Sequence, residues 1–93
     1  MGVKYSITLH PLVTALDIPA LDAFWRRTVR DAIREKLQMN PGVFGKPLRR
    51  TLKGCRTLRV GDYRVVFQIR SRTIHVVAII HRSSNYEGIA RRL

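Results

Sequence analysis

The stretch RTLRVGDYRVVFQIRSRTIHVVAII, residues 56–80, decides the fold because it contains three strand-like runs joined by two tight turns. Gly61-Asp62 forms the first turn, where glycine supplies the positive φ that two-residue hairpins need. Ser71-Arg72 forms the second turn. The pattern predicts a three-stranded antiparallel meander made of Arg56–Val60, Tyr63–Ile69 and Thr73–Ile80.

Alternation along the meander assigns its side chains to two faces. The middle run places on one face Tyr63, Val65, Phe67 and Ile69, and on the other Arg64, Val66, Gln68 and Arg70. The last run places on one face Ile74, Val76, Ala78 and Ile80, and on the other His75, Val77 and Ile79. Because both faces of the last run are largely apolar, it is expected to be an interior strand.

A strand and two helices are predicted before the meander. Residues Val3–Leu9 alternate between apolar and polar side chains, and Pro11 opens a short helical turn through Leu16. After Pro19, apolar residues recur at three- and four-residue spacing, which is typical of an amphipathic helix of about five turns. Asn40-Pro41-Gly42 closes this helix. Its apolar stripe is centred on Phe24, Val29, Ile33 and Leu37.

These elements indicate an α+β fold in which residues 1–93 form one domain, ending in a short C-terminal helix over Tyr86–Leu93. Helices gathered between a first strand and a later meander are expected to pack on one face of the sheet. The other face is then expected to be largely open. It carries the basic and polar side chains of Arg64, Gln68 and Arg70.

The positive charge lies almost entirely in the second half of the chain. Residues 1–45 hold six basic and four acidic side chains, whereas residues 46–93 hold twelve basic and two acidic ones. Such a concentration of charge repels itself, which indicates a polyanionic partner. Nucleic acid is the leading candidate, because each phosphate that is neutralised releases a counterion. A basic face kept for solubility is the alternative.

Composition argues against several classes of protein. Cys55 is the only cysteine, so neither an internal disulfide nor a cysteine metal cluster can form, which suits a reducing cytoplasm. The N-terminus lacks the apolar core of a signal peptide, and no segment approaches membrane-spanning length. With six acidic residues and no nucleotide-binding or zinc motif, we expect no metal and no cofactor.

RNA can be cleaved without a metal, because its 2′-hydroxyl can attack the adjacent phosphate. The protein then supplies a base, cations for the phosphorane charge and an acid for the leaving 5′-oxygen. His81, Arg82 and Tyr86 lie close together where the last strand ends. Arg64 opens the neighbouring strand, so four suitable side chains are expected near one sheet edge. The spacing alone leaves structural roles for these side chains open.

A series of motifs runs along the chain in a familiar order. They are NP at 40–41, FGKPL at 44–48, LKG at 52–54, LRVGDYRVVF at 58–67, and HR at 81–82 followed by Tyr86. With these motifs and the strand–helix–helix–three-strand order, the chain resembles the RelE/ParE toxin superfamily over nearly its whole length. The block LRVGDYRVVF followed by HR and Tyr86 is fairly specific to that superfamily.

For the RelE branch, the resemblance implies a ribosome-dependent endoribonuclease that cuts mRNA in the ribosomal A site. It also implies a cytoplasmic protein that forms a hetero-oligomer with a small antitoxin. Arg64 matches the family's transition-state cation, and Arg82 matches a phosphate binder or acid. Tyr86 and His81 match a base or a stacking and orienting group. Six further basic residues are expected to bind ribosomal RNA and the message backbone: Lys46, Arg49, Arg50, Lys53, Arg56 and Arg59.

One position departs from the RelE pattern. Members often carry lysines on the strand that leads to the hairpin, whereas this chain has Cys55 and Thr57 there. Neighbouring basic residues can compensate, or the general base is His81. Two other functions stay open, namely a ParE-type toxin that poisons DNA gyrase and a module that binds nucleic acid without catalysis.

Overall fold

The computed structural model describes residues 4–49, 52 and 54–93, which form a five-stranded sheet with helices. In chain order the elements are β1 (Ser6–Leu9), a π-helical segment (Val13–Asp17), α1 (Ala23–Ala32) with a π-helical extension (Ile33–Leu37), α2 (Pro41–Phe44), β2 (Lys46–Pro47), β3 (Arg56–Val60), β4 (Tyr63–Arg70), β5 (Thr73–His81) and a 3₁₀ helix (Ile89–Arg92). The strand order is β1-β5-β4-β3-β2, and the predicted α+β fold is confirmed. Among the described residues, no helix has both the length and the apolar character needed to cross a membrane.

The predicted meander is present, because β3, β4 and β5 form successive antiparallel pairs. Both of its turns contain a residue with positive φ, 57° at Gly61 and 54° at Ser71. A Cβ on Gly61 would lie 2.5 Å from the indole ring of Trp25. Glycine is therefore needed in the first turn both for its backbone conformation and for space.

β1 pairs in parallel with β5, which the sequence pattern did not indicate. Parallel neighbours need a long crossover connection, and the helices between β1 and the meander provide it. The strand begins at Ser6, later than the predicted start, and Val3 lies outside the described residues. In the strand order, β5 is the one neighbour of β1, so β1 is one edge of the described sheet.

The long helix is formed by α1 and its π-helical extension, but its buried face differs from the prediction. Asp22 caps its start by accepting a hydrogen bond from Trp25 N at 2.9 Å. Val29 and Leu37 are buried as expected. Phe24 is 63% exposed, so the prediction that it belongs to the buried stripe is wrong. The Trp25 ring lies against the sheet instead, 5.1 Å from that of Tyr63.

A bulge in β5 changes which side chains share a face. Val66 pairs with Ala78, whereas the next residue of β4 pairs with Val76, so Val77 is an extra residue. One extra residue turns every later side chain to the opposite face. Ile79 accordingly packs in the helix-side core, while Ala78 lies on the other face. The predicted alternation is wrong beyond the bulge.

The second face of the sheet is not largely open, as was expected, but carries its own small core. This cluster consists of Leu52, Cys55, Val66, Val77, Ala78 and Ile89. Val66 and Val77 are fully buried and apolar, so leaving that face in water would cost free energy. The 3₁₀ helix supplies Ile89 as a cover, and it is shorter than the predicted helix Tyr86–Leu93.

Candidate active site and nucleic-acid interface

Two arginines lie opposite each other on the second face of the sheet. Arg59 of β3 and Arg64 of β4 are direct partners in the antiparallel ladder. Cβ atoms of such partners are about 4.5–5.5 Å apart, so two like charges at these positions repel each other. Among the described residues, neither forms a salt bridge with a carboxylate. A bound phosphate would relieve the repulsion, which makes this pair a candidate anion site.

Tyr86 completes this cluster from the C-terminal tail. Arg64 Nη1 donates a hydrogen bond to Tyr86 Oη at 3.5 Å, and the guanidinium carbon lies 5.9 Å from the ring centroid. The Tyr86 ring is partly buried against the second-face core. Because the phenolic oxygen accepts from Arg64, its own hydrogen stays free for a ligand. The structure thus brings together two of the four predicted catalytic residues.

The cluster opens onto a groove of about 420 Å³ at the β3 side of the sheet. This volume lies within the range of small-ligand pockets, roughly 300–1,000 Å³. The residues that line the groove are four cations, two aromatic rings, a threonine and a leucine: Lys36, Lys46, Arg59, Arg64, Phe44, Tyr86, Thr57 and Leu58. We call it the cationic groove. Charge and aromatic surface together suit a nucleotide.

Lys36 and Phe44 of the cationic groove were not singled out from the sequence as site residues. Lys36 Nζ lies 5.7 Å from the centroid of the Phe44 ring, and that ring is 42% exposed. A Cβ on the next residue, Gly45, would clash with the Phe67 ring. The backbone is therefore pressed against the core here, which fixes the position of Phe44. The signal was the FGK run at 44–46, where glycine separates an exposed aromatic from a cation.

His81 lies on the opposite face from Tyr86. It pairs with Tyr63, and the two rings meet edge to face at 5.2 Å. His81 Nδ1 is 2.7 Å from Ser83 Oγ and accepts a hydrogen bond from Ser83 N at 3.1 Å. Without the extra residue Val77 in β5, His81 would share the face of Arg64. The expected convergence of all four side chains is therefore wrong for His81.

Arg82 lies at the hairpin between β3 and β4 and not in the groove lining. Its Nε is 3.6 Å from Asp62 Oδ1, and its backbone N donates to Asp62 O at 2.7 Å. The Arg82 side chain is 63% exposed, and exposed ion pairs contribute little to stability. Its guanidinium can consequently exchange this carboxylate for a phosphate.

The other predicted RNA-binding residues are divided among several places. Two line the cationic groove, Lys46 and Arg59. Arg49 is exposed just after β2. Arg56 is turned toward the backbone and donates from Nη2 to Gly42 O at 3.4 Å. Two lie outside the described residues, Arg50 and Lys53.

Cys55 does not offer a nucleophile on this face. It is 1% exposed, and burial raises the pKa of its thiol, against the opposing effects of a hydrogen bond to Gln68 and the charge of Arg70. A thiol in this environment stays protonated near neutral pH and is unreactive. In the described part of the chain, no three His, Cys, Asp or Glu side chains are grouped as a metal site would require.

A second groove of about 600 Å³ lies between β1 and the long helix. Its walls are mainly apolar, with Ile7 and Val29 on opposite sides. Three arginines also line it and recur every four residues along the helix: Arg26, Arg30 and Arg34. We call it the helix-side groove. An apolar channel bordered by cations suits an amphipathic segment with acidic side chains.

Fold and site together define a class: a small α+β domain with a cationic groove and a phenol on one sheet face. Residues 16–86 match the family model described as ParE toxin of type II toxin-antitoxin system, parDE. The chain belongs to this family, and thus to the RelE/ParE superfamily whose resemblance the sequence showed.

Toxin RelE of Mycobacterium tuberculosis is 43% identical over 49 residues, which make up 50% of this chain and 50% of that protein. The chain thus spans about half the length of this curated relative in the match. The crystal structure of the toxin-antitoxin complex RelBE2 from Mycobacterium tuberculosis matches with a TM-score of 0.81 and 27% identity, covering 88% of this chain and 95% of that one. The conserved hypothetical protein HP0894 from Helicobacter pylori shares the fold, with a TM-score of 0.64 and 15% identity over 86% of this chain and 97% of that one.

Proposed function

We propose that this protein is the toxin of a type II toxin–antitoxin system and acts as a ribosome-dependent endoribonuclease on mRNA in the A site. The observation that carries the proposal is the Arg64–Tyr86 contact in the cationic groove beside Arg59, which forms no ion pair with any described carboxylate. Ribosome and message are cytoplasmic, so the proposal includes that location. Membership of the family supports the toxin part of the proposal.

The reaction needs a proton acceptor, a proton donor and stabilised charge. The 2′-hydroxyl loses its proton, its oxygen forms a bond to the adjacent phosphorus, and the bond from phosphorus to the 5′-oxygen breaks. A proton then goes to the 5′-oxygen, which leaves a 2′,3′-cyclic phosphate and a 5′-hydroxyl. Two guanidiniums on one phosphate stabilise the charge that develops on its oxygens.

The groove residues divide these tasks. We assign Arg64 to the transition-state charge, Arg59 to holding the phosphate, and Tyr86 to proton exchange with the 2′-oxygen or orientation of the nucleotide. Arg82 is proposed as an outer phosphate contact once it leaves Asp62. His81 orients the turn after β5 through Ser83. These roles rest on position, with proton transfer contributing typically 10²–10⁴-fold.

Phe44 gives the groove a second aromatic surface besides Tyr86. Single-stranded RNA is commonly bound by stacking its bases on aromatic rings while cations follow its backbone. Lys36 and Lys46 lie in the same lining and supply that charge. The groove is thus suited to an unstacked nucleotide of a message.

Cleavage of a programmed message on purified ribosomes tests the proposal. We expect the wild-type protein to cut within the A-site codon and the Tyr86→Phe variant to cut about 10²-fold more slowly. Tyr5→Phe is the matched control, because Tyr5 packs against the helix-side core. A Tyr86→Phe variant as fast as wild type would remove Tyr86 from the mechanism. Intact message with the wild-type protein would reject the nuclease.

A gyrase-poisoning toxin is the second candidate, favoured by the match to the ParE family model. Binding gyrase needs no proton-transfer group, so the Arg64–Tyr86 contact would have no catalytic role. DNA supercoiling by gyrase in the presence of the protein separates the two. Inhibition of supercoiling together with intact message on ribosomes would support this candidate, and RNA affinity without either effect would indicate a non-catalytic binding module.

An antitoxin is proposed as the protein partner, supported by the structural similarity to a chain of a toxin–antitoxin complex. Its acidic, amphipathic segment would occupy the helix-side groove, where apolar walls are bordered by three arginines. We expect Arg34→Glu to weaken antitoxin binding at least tenfold, measured by calorimetry. Arg27→Glu, exposed on the same helix but outside the groove lining, is the control. Equal effects of both variants would contradict this docking site.

A further inference from the structure

An ion pair joins the first helical segment to the C-terminal tail. Asp17 accepts hydrogen bonds from the guanidinium of Arg92 at 2.7 and 3.1 Å. The side chains are 10% and 15% exposed, respectively, so the pair is largely shielded from solvent. Shielded, bidentate bonds between charged groups are stronger than exposed ones.

The same pair satisfies backbone groups of β5 on the side away from β4, beyond the end of its pairing with β1. β1 ends at Leu9, and β5 continues beyond that point. Asp17 Oδ2 accepts a hydrogen bond from Ile79 N at 2.9 Å, and Arg92 Nη1 donates to Val77 O at 3.0 Å. Buried backbone groups without partners cost free energy. Because the ion pair also satisfies two such groups, breaking it would cost more than the loss of the attraction between the two side chains.

The 3₁₀ helix transmits this anchoring to the cationic groove. Residues three apart share a face of such a helix, which places Ile89 and Arg92 together against the sheet. Ile89 is 4% exposed in the second-face core, and its N donates to Tyr86 O at 3.2 Å. Tyr86 thus stands one turn before an anchored residue, with its phenol on Arg64.

We propose that Asp17 and Arg92 are positioning residues, whose ion pair holds the tail against the sheet so that Tyr86 stays on Arg64. This inference rests on the proposed function, because placement of Tyr86 matters for activity only if Tyr86 acts on RNA. Neither residue of the ion pair lines the cationic groove. A substitution in the pair therefore changes no side chain of the groove, and it acts on the reaction through the tail or through β5, whose Ile79 and Val77 the pair also contacts.

Two measurements on the full chain test the inference. Hydrogen exchange of the amides over residues 86–93 should become at least tenfold faster in Asp17→Asn, whereas the exposed neighbour variant Arg91→Gln should match wild type. The cleavage kcat on programmed ribosomes should fall at least tenfold in Asp17→Asn, with KM changed little. In a Tyr86→Phe background, adding Asp17→Asn should cause no further loss, because its effect acts through the phenol. Arg92→Lys keeps the charge but replaces the planar fork of the guanidinium by a single ammonium, so it should retain part of the activity that Arg92→Gln loses.

The outcomes separate this inference from the proposed function. Unchanged exchange in Asp17→Asn would overturn the anchoring, and faster exchange with unchanged kcat would overturn the positioning role. An equal loss in the wild-type and Tyr86→Phe backgrounds would show a general effect on stability and also overturn it. If Asp17→Asn does not fold, Arg92→Lys in the two backgrounds gives the same comparison. A wild-type protein that does not cleave rejects the nuclease, and positioning for catalysis with it, while the exchange result still decides whether the pair holds the tail.

Discussion

Replacing Arg59 by glutamine is expected to stabilise the free protein and to lower its affinity for RNA. Arg59 and Arg64 are direct partners across two strands, and neither has a carboxylate partner among the described residues. Two charges roughly 7 Å apart in water repel each other by about 0.6 kcal/mol. In a domain of this size, 1 kcal/mol changes Tm by about 4–8 °C, so the variant should melt about 2–5 °C higher.

Thermal unfolding at two salt concentrations is the assay for this repulsion. The Debye length falls from about 30 Å at 10 mM salt to about 3 Å at 1 M salt. The increase in Tm of the Arg59→Gln variant should therefore be present at low salt and largely lost at high salt. Arg27→Gln is the control, since this exposed arginine lies on α1 outside the cationic groove. An unchanged or lower Tm for Arg59→Gln at 10 mM salt would contradict a repulsion between Arg59 and Arg64. The same variant should bind single-stranded RNA with a salt slope smaller by about 0.7, the contribution of one phosphate contact.

Two further predictions concern stability. In urea unfolding, Gly61→Ala should destabilise the protein by about 1–2 kcal/mol or more, because Gly61 has a positive φ and lies against Trp25. Gly42→Ala should instead stabilise the protein by about 0.5–1 kcal/mol, because Gly42 lies in α2 with open space around it. Burial, followed by nearby positive charges, lowers the pKa of His75 below its unfolded value of about 6.5. The contribution of His75 to the free energy of unfolding is therefore fully present above that value and is lost as the pH drops through the folded-state pKa. His75→Gln should remove this part of the pH dependence between pH 7 and 5.

The meander could be predicted because its information is local. Alternation, the glycine of the first turn and the short second turn all act within a few residues. The strand Arg56–Val60 forms as predicted, and the strand predicted over Tyr63–Ile69 extends one residue further, to Arg70. The long helix was likewise predictable from its spacing. The parallel pairing of β1 was not, since it depends on how distant segments meet across the helices.

The composition of the site depended on one residue that the sequence pattern does not reveal. The bulge at Val77 turns His81 to the helix side, so a regular alternation places it on the wrong face. The bulge is a feature of the pairing between β4 and β5, which the alternation within one strand does not reveal. Phe44 was missed for a related reason, because its role depends on α2 lying beside the edge of β3.

The end groups that cleavage leaves on the message show whether the message's own 2′-oxygen carries out the reaction. A message carrying a single 2′-deoxynucleotide at the cut position is placed in the A site of purified ribosomes beside an unmodified message. We expect cleavage of the unmodified message to a 2′,3′-cyclic phosphate and a 5′-hydroxyl, and no cleavage of the deoxy-substituted message. Cleavage of the substituted message, or fragments ending in a 3′-hydroxyl and a 5′-phosphate, would contradict a reaction driven by the message's own 2′-oxygen.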